Sequence, residues 1–381
     1  MKKVCIDFET GNGRIEGHKT QFAFTGLPGV EIAALSDSNP EAENTYRRTG
    51  AARLYRDFTE MMDKERPDIV VLCSRLPEDH FRQIKFAISR GCHVLCEKPL
   101  AADLAQGDEL VRLAEAAGVK IQIAHLARFA PQFRTMKSLI DAGEIGRVLN
   151  VYLRGKEDFR GGGEDMLVLG THLLDITTFL FGAPTEIYAD IRMQGRPITA
   201  DDALPTNEPL GLCAGDEVFA YYRLPGNATA TFESRRGMMK DSSCDRMGIT
   251  VTGTKGALSL RYTKRELRIA RNFPVPIEDE TAFEPVPLEP APKIPGAVPP
   301  DYEAWHADRN CAGTRYFIEN NRRAAWDLLQ SIEEDRAPLA DARSALTALE
   351  MIIGAYYSAI RRQPAPFPIP DRKHPLHDLK K

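Results

Sequence analysis

The stretch "HVLCEKPLAADLAQ" runs from His93 to Gln106. A short apolar strand, Val94 to Cys96, ends in a carboxylate, an ammonium and a proline: Glu97, Lys98 and Pro99. A helix then follows, with Asp103 positioned to act as its N-cap. A turn by itself needs neither charge. The pair therefore points to the architecture around it.

Upstream and downstream of this stretch, short apolar runs alternate with helix-like segments. Lys3–Phe8, Val30–Ser36, Ile69–Cys73, His93–Cys96 and Ile121–Ala124 are dense in Val, Ile, Leu and Ala, as strands buried on both faces should be. Amphipathic segments such as Asp79–Arg90 and Asp103–Ala117 lie between them. Strand–helix–strand alternation implies right-handed crossovers and a doubly wound parallel sheet over residues 1–125.

Past His125 the pattern changes. Pro131–Ala142 reads as a helix closed by Gly143, and from Val148 the runs take on the alternating character of antiparallel strands. These runs are Val148–Gly155, Glu186–Met193, Glu217–Arg223, Ala228–Glu233, Gly248–Thr252 and Ala257–Arg261, the last two joined by a hairpin at "TGTKGAL" (252–258). Residues 274–300 hold nine prolines and predict an extended surface loop without a core. Two long helices, Thr314–Glu334 and Asp341–Arg362, close the chain. Residues 126–381 thus read as one α+β domain, an open and mainly antiparallel sheet with helices on one face.

The 381 residues exceed a single typical core. With 50 basic and 54 acidic side chains the net charge is −4, which gives no field for nucleic acid. No apolar run has membrane-spanning length, and the N-terminus is short and acidic for a signal peptide. The seven cysteines form no C-x-x-C pair, and Cys5, Cys73 and Cys96 fall inside apolar strands. They read as buried thiols in a reducing, cytoplasmic setting, with no metal site.

In an open parallel sheet, ligands bind at the carboxyl ends of the strands. After the first strand, Gly11, Gly13 and Gly17 give G-x-G-x-x-x-G, one residue longer than the usual dinucleotide fingerprint. It starts late after the strand, Glu9 adds a negative charge beside it, and the same spacing suits a surface loop. Asp37 closes the second strand, where a carboxylate can accept ribose hydroxyls and repel a 2′-phosphate. That favours NAD over NADP, although Asp37 also suits a plain turn before Asn39-Pro40.

The chain resembles the Gfo/Idh/MocA family of NAD(P)-dependent oxidoreductases. The resemblance rests on "LPGVEIAALSD" (27–37), "PDIVVLCSRLPEDH" (67–80), "GCHVLCEKPLA" (91–101), "GEIGRV" (143–148), "GTHLLD" (170–175), "VTGTKGAL" (251–258) and "DRKHPL" (371–376). It implies a Rossmann domain and an open-sheet domain that mediates homodimer or homotetramer contacts. It also implies a sugar, polyol or cyclitol substrate held between them.

The resemblance gives Lys98 and Glu97 their roles. Lys98 directs its ammonium at the hydroxyl being oxidised and stabilises the developing alkoxide. Glu97 pairs with Lys98 or bonds the nicotinamide side of the cofactor, and Pro99 rigidifies the turn, a cis bond being one way to do so. His172, in the apolar run "LVLGTHLLDITTFLFG", matches the family's proton acceptor. The family often carries an aspartate four residues earlier; here that residue is Val168. Asp165 and Asp175 are candidates to replace it, with Glu164 beside them. Ser74, Pro77 and His80 are candidates to line the cofactor cleft. His125, Arg128, Lys156, Arg160 (with Asp158) and His306 (with Asp308, Arg309 and Asn310) are candidates for the substrate. Arg128 equally suits an ion pair between domains.

Three functions suit these residues. One is an NAD-dependent dehydrogenase of a sugar or cyclitol hydroxyl. A second is a glycosidase, lyase or epimerase that recycles NAD through a transient keto-sugar. The third is a non-catalytic NAD or sugar sensor, against which the retention of Lys98 and His172 argues.

Overall fold

Strands Lys2–Asp7 (β1), Val30–Ser36 (β2), Arg53–Tyr55 (β3), Ile69–Leu72 (β4), His93–Cys96 (β5) and Ile121–Ile123 (β6) form one sheet. Its order is β3-β2-β1-β4-β5-β6 and every pair is parallel. That is the order of a doubly wound dinucleotide fold, with its switch point between β1 and β4. The computed structural model describes residues 1–11, 18–240, 246–262, 266–271, 282–305 and 312–376. Gly13, Gly17, His306, Asp308, Arg309 and Asn310 lie outside the described residues.

All five expected strands in this region match to within a residue at each end, because most of their side chains are buried. β1 begins and ends one residue earlier than expected. The edge strand β3 carries no such signal; it has three residues and its Arg53 is exposed. Helices Glu43–Thr49 (α1), Phe58–Glu65 (α2), Pro77–Ser89 (α3) and Leu104–Ala117 (α4) supply the crossovers. Asp103 caps α4 as expected, its carboxylate accepting the Gln106 N–H at 2.8 Å.

The chain divides into Met1–Ala130 with Pro292–Leu346, and Pro131–Ala291 with Thr347–Lys381. This differs from the contiguous split at residues 125 and 126. Helix Ala312–Glu333 belongs to the first unit, where Ala324, Ala325 and Leu328 share a core with Ile6, Leu35 and Val71. The Ile123 N–H donates to the Ala340 carbonyl at 2.8 Å, so the return segment satisfies the free edge of β6. Arg128 donates to the Leu339 carbonyl at 2.8 Å, inside the same unit. An amphipathic pattern shows that a helix has an apolar face but not which sheet that face meets.

In the second unit, helix Pro131–Asp141 (α5) precedes a ten-stranded sheet. Its longer strands are Val148–Arg154 (β7), Glu186–Met193 (β8), Glu217–Arg223 (β9), Thr229–Arg235 (β10), Gly248–Gly253 (β11), Gly256–Arg261 (β12) and Leu267–Arg271 (β13). They run in the order β13-β12-β11-β7-β10-β9-β8, antiparallel throughout except for β10 beside β7. One face is buried: Ile187, Val218, Tyr222, Phe232 and Leu153 lie there. Helix Ala342–Arg361 closes that face from Thr347 onward, with the Tyr222 hydroxyl donating to the Met351 carbonyl at 3.3 Å. Tyr152, Tyr188 and Phe219 stand exposed on the other face.

The proline-rich segment departs from a coreless loop. Phe283 is buried with Ala257 and Ala270, and Ile294 and Ala297 pack against the core of the first unit. Prolines keep such a chain extended without preventing its few apolar side chains from docking. No helix among the described residues is long and apolar enough to cross a membrane. Cys5, Cys73, Cys92, Cys96 and Cys213 are buried free thiols, and burial pushes Cys5 and Cys213 up to about 12.

Candidate functional site

In the first unit, the carboxyl ends of β1, β2, β4 and β5 carry Gly11, Asp37, Ser74, Pro77, His80, Glu97 and Lys98. β1 ends in Asp7, which is fully buried. Its Oδ1 accepts from the Ser36 hydroxyl at 2.7 Å and its Oδ2 from the Gln83 amide at 2.5 Å. Burial raises this carboxyl to about 7 against the pull of those two hydrogen bonds, with the charges of Glu9 and Asp79 adding to the rise. Beyond it the chain folds over the end of β2. The Thr10 N–H and hydroxyl both donate to Asp37, at 2.9 and 2.7 Å. Gly11 follows, packed so closely on the Ser38 hydroxyl that a Cβ there would require Ser38 to turn away.

At the end of β4, Ser74 is buried and donates to Asp79 at 3.1 Å, and Pro77 occupies the first turn of α3. His80, with no exposed surface, spans two strand ends. Its Nδ1 lies 2.6 Å from the Pro99 carbonyl and its Nε2 2.7 Å from the Ser74 carbonyl. The β5 terminus therefore is pinned to α3 directly behind Lys98.

Glu97 and Lys98 are both buried, and the Lys98–Pro99 peptide is cis. Glu97 finds partners in a segment 79 residues upstream: the His18 N–H donates to Oε1 at 3.0 Å, and His18 Nδ1 lies 3.2 Å from Oε2. The Thr20 hydroxyl also donates to Oε1. Burial opposes ionisation of Glu97, but a positive charge on His18 and the hydrogen bonds from His18 and Thr20 outweigh it. They hold the carboxyl well below the usual carboxylate range. Helix Ala312–Glu333 completes this corner: Asn321 donates to the His18 carbonyl at 2.8 Å and Phe317 packs on the His18 ring at 4.7 Å.

His18, Thr20 and Asn321 escaped the sequence reading. His18 and Thr20 follow the glycine-rich stretch with no motif of their own and Asn321 is one polar position on an expected helix, so only the fold brings them to this corner. The buried Asn321 Oδ1 has no hydrogen-bond partner, an acceptor left open at the end of the sheet. At the switch point between β1 and β4, these groups suit a dinucleotide.

The second unit holds Lys156, Asp158, Arg160, Glu164, Asp165, His172 and Asp175. Lys156 Nζ lies 3.3 Å from Asp158, and Arg160 bridges Asp158 and Glu208 at 2.8 and 2.5 Å. This network shapes the loop that enters Gly161–Gly163. Gly162 takes φ 90°, and the helix that follows starts as a single turn, Gly163–Asp165. It passes through a π-helical stretch, Met166–Gly170, into Thr171–Phe181 (α6). Such π-turns recur at functional sites, and this one delivers His172 half-buried at the start of α6.

The carboxylates around His172 separate by partner. Glu164 takes the Asn207 N–H and amide at 2.8 and 2.7 Å. Asp165 is buried and accepts from the Ser234 hydroxyl at 2.5 Å and the Glu157 N–H at 3.0 Å. Burial raises the Asp165 carboxyl despite these bonds. Asp175 is buried one helical turn beyond His172, and Val168 lies in the core. His125 and Arg128 are both buried in the first unit, just past β6.

Comparison with known proteins bears on the fold and the family. The family model described as "Oxidoreductase family, NAD-binding Rossmann fold" matches residues 10–125, and the "GFO/IDH/MocA C-terminal domain" matches residues 133–259. D-apiose dehydrogenase of Paraburkholderia graminis is 30% identical over 191 residues, 47% of this chain and 51% of that protein. Inositol 2-dehydrogenase of Mycolicibacterium smegmatis is 32% identical over 163 residues, 41% of this chain and 47% of that protein. The chain spans about half the length of the curated relatives it matches. A levoglucosan dehydrogenase solved with NADH and levoglucosan superposes with a TM-score of 0.73 at 18% identity, over 96% of this chain and 100% of that one. With an NAD-binding Rossmann domain and the family's own C-terminal domain in sequence, the chain belongs to the GFO/IDH/MocA oxidoreductase family.

Proposed function

We propose that this chain is an NAD-dependent dehydrogenase that oxidises a secondary hydroxyl of a sugar, a sugar derivative or a cyclitol. The observation that carries the reading is Lys98, a buried lysine at the carboxyl end of a central parallel strand, fixed by His80 through the adjoining Pro99. NAD, when bound, supplies the hydride acceptor.

The chain's own residues do the rest. Lys98 donates a hydrogen bond to the substrate oxygen and stabilises negative charge as it develops there. His172 accepts the hydroxyl proton, and its half-buried ring suits an exchange between substrate and solvent. Asp175, one turn along the same helix, supports the charged imidazole. Glu164 is held by Asn207, and Asp165 by Ser234 and the Glu157 N–H. Self-association as a dimer or tetramer is proposed as well, supported by exposed Tyr152, Tyr188 and Phe219 on one sheet face. Five buried free thiols support a reducing, cytoplasmic setting.

The test is NADH formation on a panel of aldoses, sugar acids and inositols. Lys98→Met is expected to lower kcat by about 10²–10⁴-fold with NADH binding retained. A wild-type protein that reduces NAD with none of the panel, or a Lys98→Met variant of undiminished kcat, refutes the proposal.

A further inference from the structure

Helix Ala312–Glu333 lies far beyond the strand–helix repeat in sequence, yet it presents two side chains to the loop after β1. Phe317 and Asn321 are one turn apart and share a face of that helix. Phe317 packs on the His18 ring with centroids 4.7 Å apart, and Asn321 Nδ2 donates to the His18 carbonyl at 2.8 Å. His18 in turn bonds Glu97 through its N–H and Nδ1, and Glu97 adjoins Lys98. The helix thus reaches the end of β5 through one intermediary.

Asn321 has no exposed surface, and its Oδ1 has no hydrogen-bond partner among the described residues. The amide cannot relieve this by turning over. The His18 carbonyl takes the NH2 beside it, and a flipped amide would set two acceptors against each other. Oδ1 therefore keeps one direction and an unmet need for a donor. Buried acceptors left in that state are rare, and one at the ligand end of a parallel sheet calls for a donor from outside the chain.

In a dinucleotide fold the two halves of the sheet take the two nucleotides, and the carboxylate at the end of β2 meets the adenosine ribose. Asp37 holds that place, which leaves β4 and β5, across the switch point, to the nicotinamide. Asn321 is tied to β5. The nicotinamide half of NAD carries two kinds of donor, the carboxamide NH2 and the ribose hydroxyls. The carboxamide is the one whose hydrogen bonds hold the ring against rotation, a task suited to a rigid acceptor on a helix.

We propose that Asn321 Oδ1 accepts a hydrogen bond from the nicotinamide carboxamide, which makes this asparagine a cofactor-binding residue that orients the ring. The proposal rests on the reading of the chain as an NAD-dependent dehydrogenase. One amide then serves both partners of the reaction, the ring through Oδ1 and the Lys98 turn through His18 and Glu97.

The experiment measures Kd by fluorescence titration of the full chain with NADH and with reduced 3-acetylpyridine adenine dinucleotide. In that analogue a methyl ketone replaces the carboxamide, so the N–H donors are lost while both riboses and the pyrophosphate are kept. ADP-ribose, which lacks the ring, is measured by competition. The wild type is expected to bind NADH about tenfold more tightly than the analogue. In Asn321→Leu, of similar volume, the two should bind within about twofold of each other, with the ADP-ribose Kd unchanged within the same factor. A wild type that binds NADH and the analogue equally overturns the assignment, and that arm needs no variant to fold. A tenfold ratio that persists in folded Asn321→Leu also overturns it, as it would if Oδ1 met only a buried water or a ribose hydroxyl. Failure of the wild type to bind NADH and ADP-ribose alike overturns the NAD reading, and the assignment with it.

Discussion

His18 and Glu97 are joined twice, by a backbone N–H at 3.0 Å and by the ring Nδ1 at 3.2 Å, although 79 residues separate them. This pair ties the loop after β1 to the end of β5 and keeps a buried carboxylate ionised. Because the folded carboxyl sits below its ordinary value of 4.5, its contribution is complete above that value and is lost only as pH falls through the folded one. Glu97→Gln should therefore lower stability by about 1–3 kcal/mol at neutral pH. Urea denaturation should show the deficit constant from neutral to weakly acidic pH and shrinking in stronger acid. Equal stability of the two proteins at neutral pH would count against the pair.

Asp7 works with the opposite sign. Its carboxyl is raised from 3.8 to about 7, so the folded state holds a proton that the unfolded chain has released across that window. Stability should decline as pH rises from 3.8 to about 7, by up to about 1.4 kcal/mol per pH unit, with the full penalty present above it. Asp7→Asn should flatten this dependence. Parallel pH profiles of the two proteins in denaturant titrations would exclude it.

His80 holds two buried carbonyl oxygens, one on each side of the candidate lysine site. His80→Ala removes the ring N–H that serves these carbonyls, at about 1–3 kcal/mol for the donor lost. The turn at Pro99 then loses its anchor, so kcat should fall in the variant even where it remains folded. His80→Gln, which restores one donor, should recover part of the stability. Full kcat in a folded His80→Ala protein would show that Lys98 needs no such support.

Asp165 and Asp175 should separate in their effects. Asp165→Ala removes the acceptor of the Glu157 N–H and should cost about 1–3 kcal/mol, whereas Asp165→Asn keeps that acceptor and should cost much less. Neither should alter the shape of the kcat–pH profile. Asp175→Asn should alter it, if this acid supports His172. Identical profiles for Asp175→Asn and wild type would leave His172 without a carboxylate partner.

Legibility followed burial. The strands at Val30–Ser36 and His93–Cys96 were readable to the residue because both faces are apolar and the runs stop at polar turns. The three-residue β3 was not, since an edge strand with an exposed arginine has no such signature. Lys98 stood out because charges after a buried strand lack a local reason, and His172 because its helix is otherwise apolar. Thr20 and Asn321 gave no sign, as a threonine or asparagine in an aperiodic or polar stretch is ordinary until a carboxylate is folded against it.

Taken alone, the sequence determined the alternation of strands and helices and the parallel character of the first sheet, and it singled out Lys98 and His172 as candidates. Hydrophobic period and turn residues act over a few neighbours, so they are written locally. Only the tertiary structure decided that helix Ala312–Glu333 joins the first unit, that His18 holds Glu97, and that Thr10 covers Asp37. Those are choices of partner between distant segments, and a hydrogen bond or an apolar face specifies what kind of group it needs without specifying where in the chain that group lies.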